Sequence, residues 1–259
     1  MNIGRNSHLQ TLFLHMRHGA VVTAPHLVDL GISRGLQSYY VRNNWLEPVG
    51  RGAYKIPEDV IEWPAMLNAV QQQTKSEVHL GALSALHFQI YATYMRMPGK
   101  RRLQVFTGLK KPLPAWFANY QGSFCTEHHQ TNFLPEKLMV REEEKDNFRI
   151  KVASNERAMM ECLFLAPKFL SLVDCYRVML GMTTLVPEYM MELLQQCQSV
   201  KVKRLFLYMG ERAEQMWFDD LDTDQIDLGS GKRSFEKNGI YIPKYRMVMP
   251  KAFANTISI

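Results

Sequence analysis

The sequence predicts an α+β fold in two parts, an amino-terminal winged helix-turn-helix and a mixed α/β carboxy-terminal domain. Three observations predict it. Between Thr23 and Asn44, helix-starting and helix-stopping residues bracket two short apolar-periodic stretches. A glycine-flanked hairpin follows at once, over residues 45–57. Beyond residue 102, strand-like runs give way to helical ones. The winged core is placed at residues 1–57, its domain with supporting helices at 1–97, and the second domain at 98–259.

Residues 3–17 carry Ile3, Leu9, Leu12, Phe13 and Met16 at helical spacing, a first helix for the winged unit. Thr23 caps the next helix, because Pro25 in its first turn gives up an amide that would be unpaired anyway. That helix stops at Gly31, where a left-handed residue costs little. Ser33 caps a second helix running to about Asn43-Asn44. At 100° per residue, Leu36, Tyr39 and Tyr40 share its inner side, and Arg34, Ser38 and Arg42 share the outer one. Trp45-Leu46 starts a strand, Val49-Gly50-Arg51-Gly52 turns it, and Ala53 to Ile56 returns until Pro57.

After Pro57, Trp63-Pro64 opens a helix, Val78 to Leu80 reads as a short strand, and Gly81 to Tyr91 as another helix. Met97-Pro98-Gly99-Lys100-Arg101-Arg102 marks the domain boundary, combining turn residues with a charge run. Strands are expected at 103–107, 122–126, 138–141 and 148–153, then helices at 156–165, 169–180, 188–197 and 201–218.

The helix pair and hairpin point to DNA. An apolar underside with a basic, small-polar outer row suits a helix entering the major groove, since arginines reach phosphates or guanine edges and a small residue permits close approach. Residues 1–57 hold the cations Arg5, Arg17, Arg34, Arg42, Arg51 and Lys55 against only Asp29 and Glu47. The candidate DNA-contacting residues are Arg34, Arg42, Ser38, Gln37, Ser33, Arg51 at the wing tip, and Thr23 at the start of its helix.

Length and composition set the remaining bounds. A chain of 259 residues holds two domains with their own cores. Hydrophobic content of 46% and charged content of 22% describe a folded protein rather than a disordered one. The net charge of +6 agrees with a polyanionic partner. The most apolar run, Cys162 to Val173, is broken by Pro167-Lys168, so no membrane span is expected. No secretory signal is visible, and Cys125, Cys162, Cys175 and Cys197 share no metal spacing. They read as reduced thiols of a cytoplasmic protein, and the sixteen methionines as core filler.

Four constellations bear on chemistry. Gly229-Ser230-Gly231-Lys232 lacks the glycine and hydroxyl of a phosphate-binding loop, since Ile226 and Arg233 stand there, and reads as a tight turn carrying two cations. Asp220, Asp222 and Asp224 open like a calcium loop, but Gln225 and Gly231 occupy its glycine and glutamate positions. Cys125, His128 and His129 have no second ligand pair at zinc spacing. Glu143-Glu144-Lys145 contains the E-x-K fragment of some nucleases without a well-placed upstream aspartate. No catalytic residue, metal or cofactor is therefore expected. Lys201, Lys203 and Arg204, at the start of an amphipathic helix, and Lys232 with Arg233 form a candidate contact surface for an acidic partner or RNA, or else a solvated basic face.

Several phrases go beyond a generic winged helix: His18-Gly19-Ala20-Val21-Val22-Thr23, Gly31-Ile32-Ser33-Arg34, Trp45 to Tyr54, Val78 to Leu86, Ser154-Asn155-Glu156-Arg157-Ala158, Val200 to Leu207 and Ile226 to Arg233. In this order, from about residue 5 to residue 250, the set resembles the AbiEi family of antitoxins from AbiE abortive-infection, or type IV toxin–antitoxin, systems. The resemblance implies a non-enzymatic, bipartite protein. Its winged helix would bind inverted repeats in double-stranded DNA of its own promoter, two copies of a monomer meeting on the site. Its second domain would counter a nucleotidyltransferase-like AbiEii toxin without a stable complex, and the five cations above would be its antitoxin surface. The alternatives are a metal-dependent nuclease delivered to DNA by the winged helix, and a stand-alone regulator without a toxin.

Overall fold

The computed structural model describes residues 10, 12, 16–74, 76–89, 101–251 and 253. The chain forms two compact units that interleave along the sequence. One comprises Met1–Leu80, Met97–Gln130 and Glu142–Lys151, the other Gly81–Arg96, Thr131–Arg141 and Val152–Ile259. The boundary placed at 97/98 lies outside the described residues. Segments on either side of it enter a common sheet. No helix among the described residues is long and apolar enough to cross a membrane.

In the first unit, local signals are met as expected. Thr23 accepts a hydrogen bond from the His26 amide and starts helix Ala24–Asp29, and Gly31 takes φ +83° beyond its end. Ser33 accepts from the Leu36 amide and starts helix Arg34–Arg42. The hairpin pairs Glu47–Gly50 with Ala53–Lys55, and Val22–Thr23 adds a third strand beside Ala53–Lys55. Leu12, Met16, Val22, Leu27, Ile32, Tyr40 and Leu46 form the core of this module. Of the expected helix over 3–17, residues 10 and 12 are helical, and most of the rest lies outside the described residues.

Helix Trp63–Gln73 supports the module from behind: the Gln73 carboxamide accepts from the Thr23 amide at 2.7 Å and donates to the Val21 carbonyl at 2.9 Å. A five-stranded sheet follows, in the order Phe124–Gln130, Arg101–Thr107, His79–Leu80, Phe148–Ala153, Val140–Lys145. The first two strands run parallel, which needs a crossover, and the connection contains the short helix Ala115–Ala118. Val140–Lys145 and Phe148–Ala153 are joined by Asp146 and Asn147, both at positive φ, the conformation that suits right-twisted hairpin strands.

The second unit is built on helix Asn155–Leu165, which is buried on nearly every side. Ser154 caps it, and its interior holds a paired charge rather than an isolated one. The Arg157 guanidinium donates to Glu161 at 2.8 Å and to the Pro135 and Leu138 carbonyls. Glu161 also accepts from the amide of Ala82, a non-glycine residue held at φ +45° at the start of helix Ala82–Phe88. Two phrases of the family set, residues 78–86 and 154–158, are thus coupled through one carboxylate.

Helices Leu172–Gly181, Pro187–Gln196 and Val200–Arg212 follow. The last was expected to run to Phe218. It ends at Arg212 because the chain turns back through Glu214 (φ +49°), and Trp217 packs so closely on Gly210 that a Cβ there would lie 2.8 Å from the indole. Met216, beyond the helix end, is consequently 86% exposed. Three short strands not foreseen, Arg233–Ser234, Ile240–Ile242 and Met247–Met249, form a closing sheet with Met247–Met249 in the middle. Cys162, Cys175 and Cys197 are buried; loss of water pushes the Cys175 thiol to about 12 and the Cys197 thiol to about 11, so both stay protonated.

Candidate nucleic-acid interface

The outer row of helix Arg34–Arg42 is open. Arg34, Ser38 and Arg42 are all exposed, while Gln37 and Tyr40 on the inner side are buried. The inner side is fixed by aromatic packing, with Tyr39 edge-on to Trp45 at 6.0 Å and Tyr40 tilted against it at 5.5 Å. On the outer side the Ser38 hydroxyl donates to the Arg34 carbonyl one turn back, and Arg42 Nε lies 3.4 Å from the Ser38 carbonyl. The serine therefore stays low against the helix between two exposed arginines.

The wing belongs to the same unit. Arg51 is exposed at the hairpin turn, followed by Gly52 at φ +85°, whose carbonyl accepts from the Ala24 amide at 2.9 Å. That bond ties the wing tip to the start of the first helix. Directly before the turn, a Cβ on Gly50 would lie 2.8 Å from the Trp116 Cβ, so only glycine permits this approach. Trp116 is distant in sequence, and no local signal identifies it as a support of the wing.

Charge is distributed unevenly among the module's cations. Lys55 pairs with Glu47 at 3.1 Å and donates to the Asp59 carbonyl, and Arg17 donates to the Asn147 carbonyl. Burial pushes the Asp59 carboxyl up, but hydrogen bonds from His18 and the Gly19 amide, together with the His18 and Lys55 charges, outweigh it and hold the group below its ordinary value. Among the described residues no carboxylate forms a salt bridge with Arg34, Arg42 or Arg51. Among the described residues, the cations of this module left to meet an external anion are those on the outer row and the wing.

Two residues expected at this surface are placed elsewhere. Gln37 is 1% exposed, and its carboxamide donates to the Ala24 carbonyl at 3.0 Å and the Ile32 carbonyl at 2.9 Å. It braces one helix against the other and cannot reach a base. Thr23 is also 1% exposed, its hydroxyl engaged at the cap. Ser33 is exposed but acts as the cap of its helix. Gln37→Ala should accordingly lower stability by about 1–3 kcal/mol, because it strips buried carbonyls of a donor. A urea midpoint unchanged from that of the parent protein would refute the bracing role.

The cations proposed for the second surface divide in two. Lys201 donates to the Phe164 and Ala166 carbonyls, both at 2.6 Å, and burial lowers its pKa. Lys203 is 7% exposed and Arg204 1% exposed. Arg204 donates to the carbonyls of Leu228, Gly229, Gly231 and Arg246. Lys201 and Arg204 are internal braces, because main-chain carbonyls satisfy their donors as well as water would, and Lys203 is buried with them. Lys232 and Arg233 are exposed. The Gly229–Lys232 turn offers its carbonyls to Arg204, which is the opposite of a phosphate cradle.

Cys125, His128 and His129 lie along strand Phe124–Gln130, where consecutive side chains point to opposite faces. His128 meets the Thr107 hydroxyl at 2.7 Å, and His129 packs against Phe106. Burial and the neighbouring His129 lower the His128 pKa. Among the described residues no three His, Cys, Asp or Glu side chains gather as a metal site.

Over residues 100–250 the chain matches the family model described as "Transcriptional regulator, AbiEi antitoxin, Type IV TA system". Residues 5–97 match that described as "Transcriptional regulator, AbiEi antitoxin N-terminal domain". No curated protein sequence matches. Among solved structures, the crystal structure of RV2827C protein from Mycobacterium tuberculosis is similar in fold, with a TM-score of 0.58 at 15% identity over 88% of this chain and 86% of that one.

Proposed function

We propose that this chain, which belongs to the AbiEi antitoxin family of type IV toxin–antitoxin transcriptional regulators, represses its own operon by binding inverted repeats in the promoter. The supporting observation is the open row Arg34, Ser38 and Arg42, with Arg51 exposed at the hairpin turn of the same unit, none of these arginines being paired with a described carboxylate. Two copies occupy the site, each laying helix Arg34–Arg42 in a major groove and bringing Arg51 to the backbone or minor groove. The chain acts in the cytoplasm and counters a nucleotidyltransferase-like toxin encoded beside it, without a stable complex between the two.

Footprinting on the native promoter tests the operator reading. Two protected half-sites, centred 10–10.5 base pairs apart or at a multiple of that spacing, are expected from a two-fold arrangement on B-DNA. Equal affinity for the promoter and for a version with one half-site scrambled would overturn it.

A further inference from the structure

We propose that the small carboxy-terminal sheet carries a second binding surface, one that fits single-stranded nucleic acid through Tyr241 and the cations around it. The middle strand Met247–Met249 is buried, which fixes the sheet on the second unit. The edge strand Ile240–Ile242 shows Tyr241 48% exposed and Ile240 40% exposed. Lys232 Nζ lies 5.1 Å from the centre of the Tyr241 ring. Residues 229–246 hold Lys232, Arg233, Lys237, Lys244 and Arg246 against the single carboxylate of Glu236.

Most of that charge is unspent. Lys244 pairs with Glu211, and Glu236 accepts from the Lys251 amide. Among the described residues, Lys232, Arg233, Lys237 and Arg246 form no salt bridge. Beneath them Arg204 binds the turn carbonyls, and its guanidinium is held below its ordinary pKa by burial and then by the charges of Arg233 and Arg246. Like charges are therefore crowded at this turn, and an incoming anion relieves them. Arg246 itself stands at φ +49°, a conformation that glycine or asparagine adopts more easily.

The combination selects the partner. Phosphates need only cations, but an exposed ring flanked by cations matches a strand whose bases are free to stack. Duplex DNA keeps its base faces covered, and an acidic polypeptide makes no particular use of the ring. The surface belongs to the second unit and is independent of the operator reading, which concerns residues 33–52.

The test uses the full-length chain carrying Arg34→Ala, Arg42→Ala and Arg51→Ala, so that the amino-terminal module contributes little. Anisotropy of a fluorescein-labelled 12-nucleotide oligouridylate should report binding to this protein. Adding Tyr241→Ala should weaken it about 5- to 100-fold, with Tyr241→Phe retaining it. Adding Lys232→Ala and Arg233→Ala instead should reduce the salt slope by about 1.4, two phosphate contacts at roughly 0.7 each. No binding by the starting protein overturns the proposal. So does an affinity indifferent to Tyr241→Ala, which would mark contact with any polyanion. Competition by polyglutamate equal to that of oligouridylate would assign the surface to an acidic protein instead. Operator binding by Tyr241→Ala alone should match wild type, so failure here leaves the promoter reading intact.

Discussion

Alanine at both Arg34 and Arg42 should weaken promoter binding by more than the loss of about 1–3 kcal/mol, or about 5- to 160-fold, expected from a base contact of Arg34 alone, because a phosphate contact is lost as well. The residues stand eight positions apart on one helix, about 12 Å at 1.5 Å per residue, which is about the width of the major groove. A helix laid along that row brings both ends to the DNA at once. Recognition helices meet base edges through their amino-terminal residues, so on the proposed reading Arg34 is expected to read a base and Arg42, at the far end, to contact a phosphate. The single variants should then differ in kind. Arg34→Ala should relax sequence preference, while Arg42→Ala should lower the salt slope by about 0.9 and weaken all sequences alike. Neither side chain is buried, and Ser33 still caps the helix, so stability should move by no more than about 0.5 kcal/mol. Anisotropy across a salt series measures all of this. A double variant that binds the promoter as tightly as the parent removes the row from the interface.

What could be read ahead of the structure follows the range of the forces involved. Caps act over three residues, so Thr23 and Ser33 announced their helices, and Gly31 announced an end. The strand Phe148–Ala153 lies where alternation placed it. Pairings over longer distances left no local trace. Nothing in the wing points to Trp116, and nothing in residues 78–86 indicates that the Ala82 amide meets Glu161. The strands of the closing sheet, two or three residues long, are too short for a period to show. The misplaced site residues share one cause. Polarity and length predict that such a side chain faces water, yet Gln37, Lys201 and Arg204 each find main-chain carbonyls inside the protein. Where a helix is surrounded on all sides, as Val202–Gly210 is, periodicity cannot separate an inner from an outer face.

Arg204→Ala should destabilise the second unit by about 3–5 kcal/mol, lowering its Tm by about 6–20 °C. The side chain is 1% exposed, and hydrogen bonds from a charged donor contribute about 1.5–3 kcal/mol each. Arg204 makes four, to the carbonyls of Leu228, Gly229, Gly231 and Arg246. Gly231 and Arg246 are on exposed residues and regain water when the guanidinium is removed, so the net loss falls well below the sum. Arg204→Lys should be little better, because an ammonium cannot span carbonyls arranged for a planar fork. This changes the meaning of any growth-rescue experiment. Alanine at Lys201, Lys203 and Arg204 together should abolish toxin neutralisation by unfolding the unit, whereas Lys232→Ala with Arg233→Ala should leave its melting unchanged and test a surface. Thermal melts followed by near-ultraviolet circular dichroism distinguish the two. An Arg204→Ala protein that melts with the parent would show that the turn at 228–231 is held by something else, and would return Arg204 to the list of candidate contact residues.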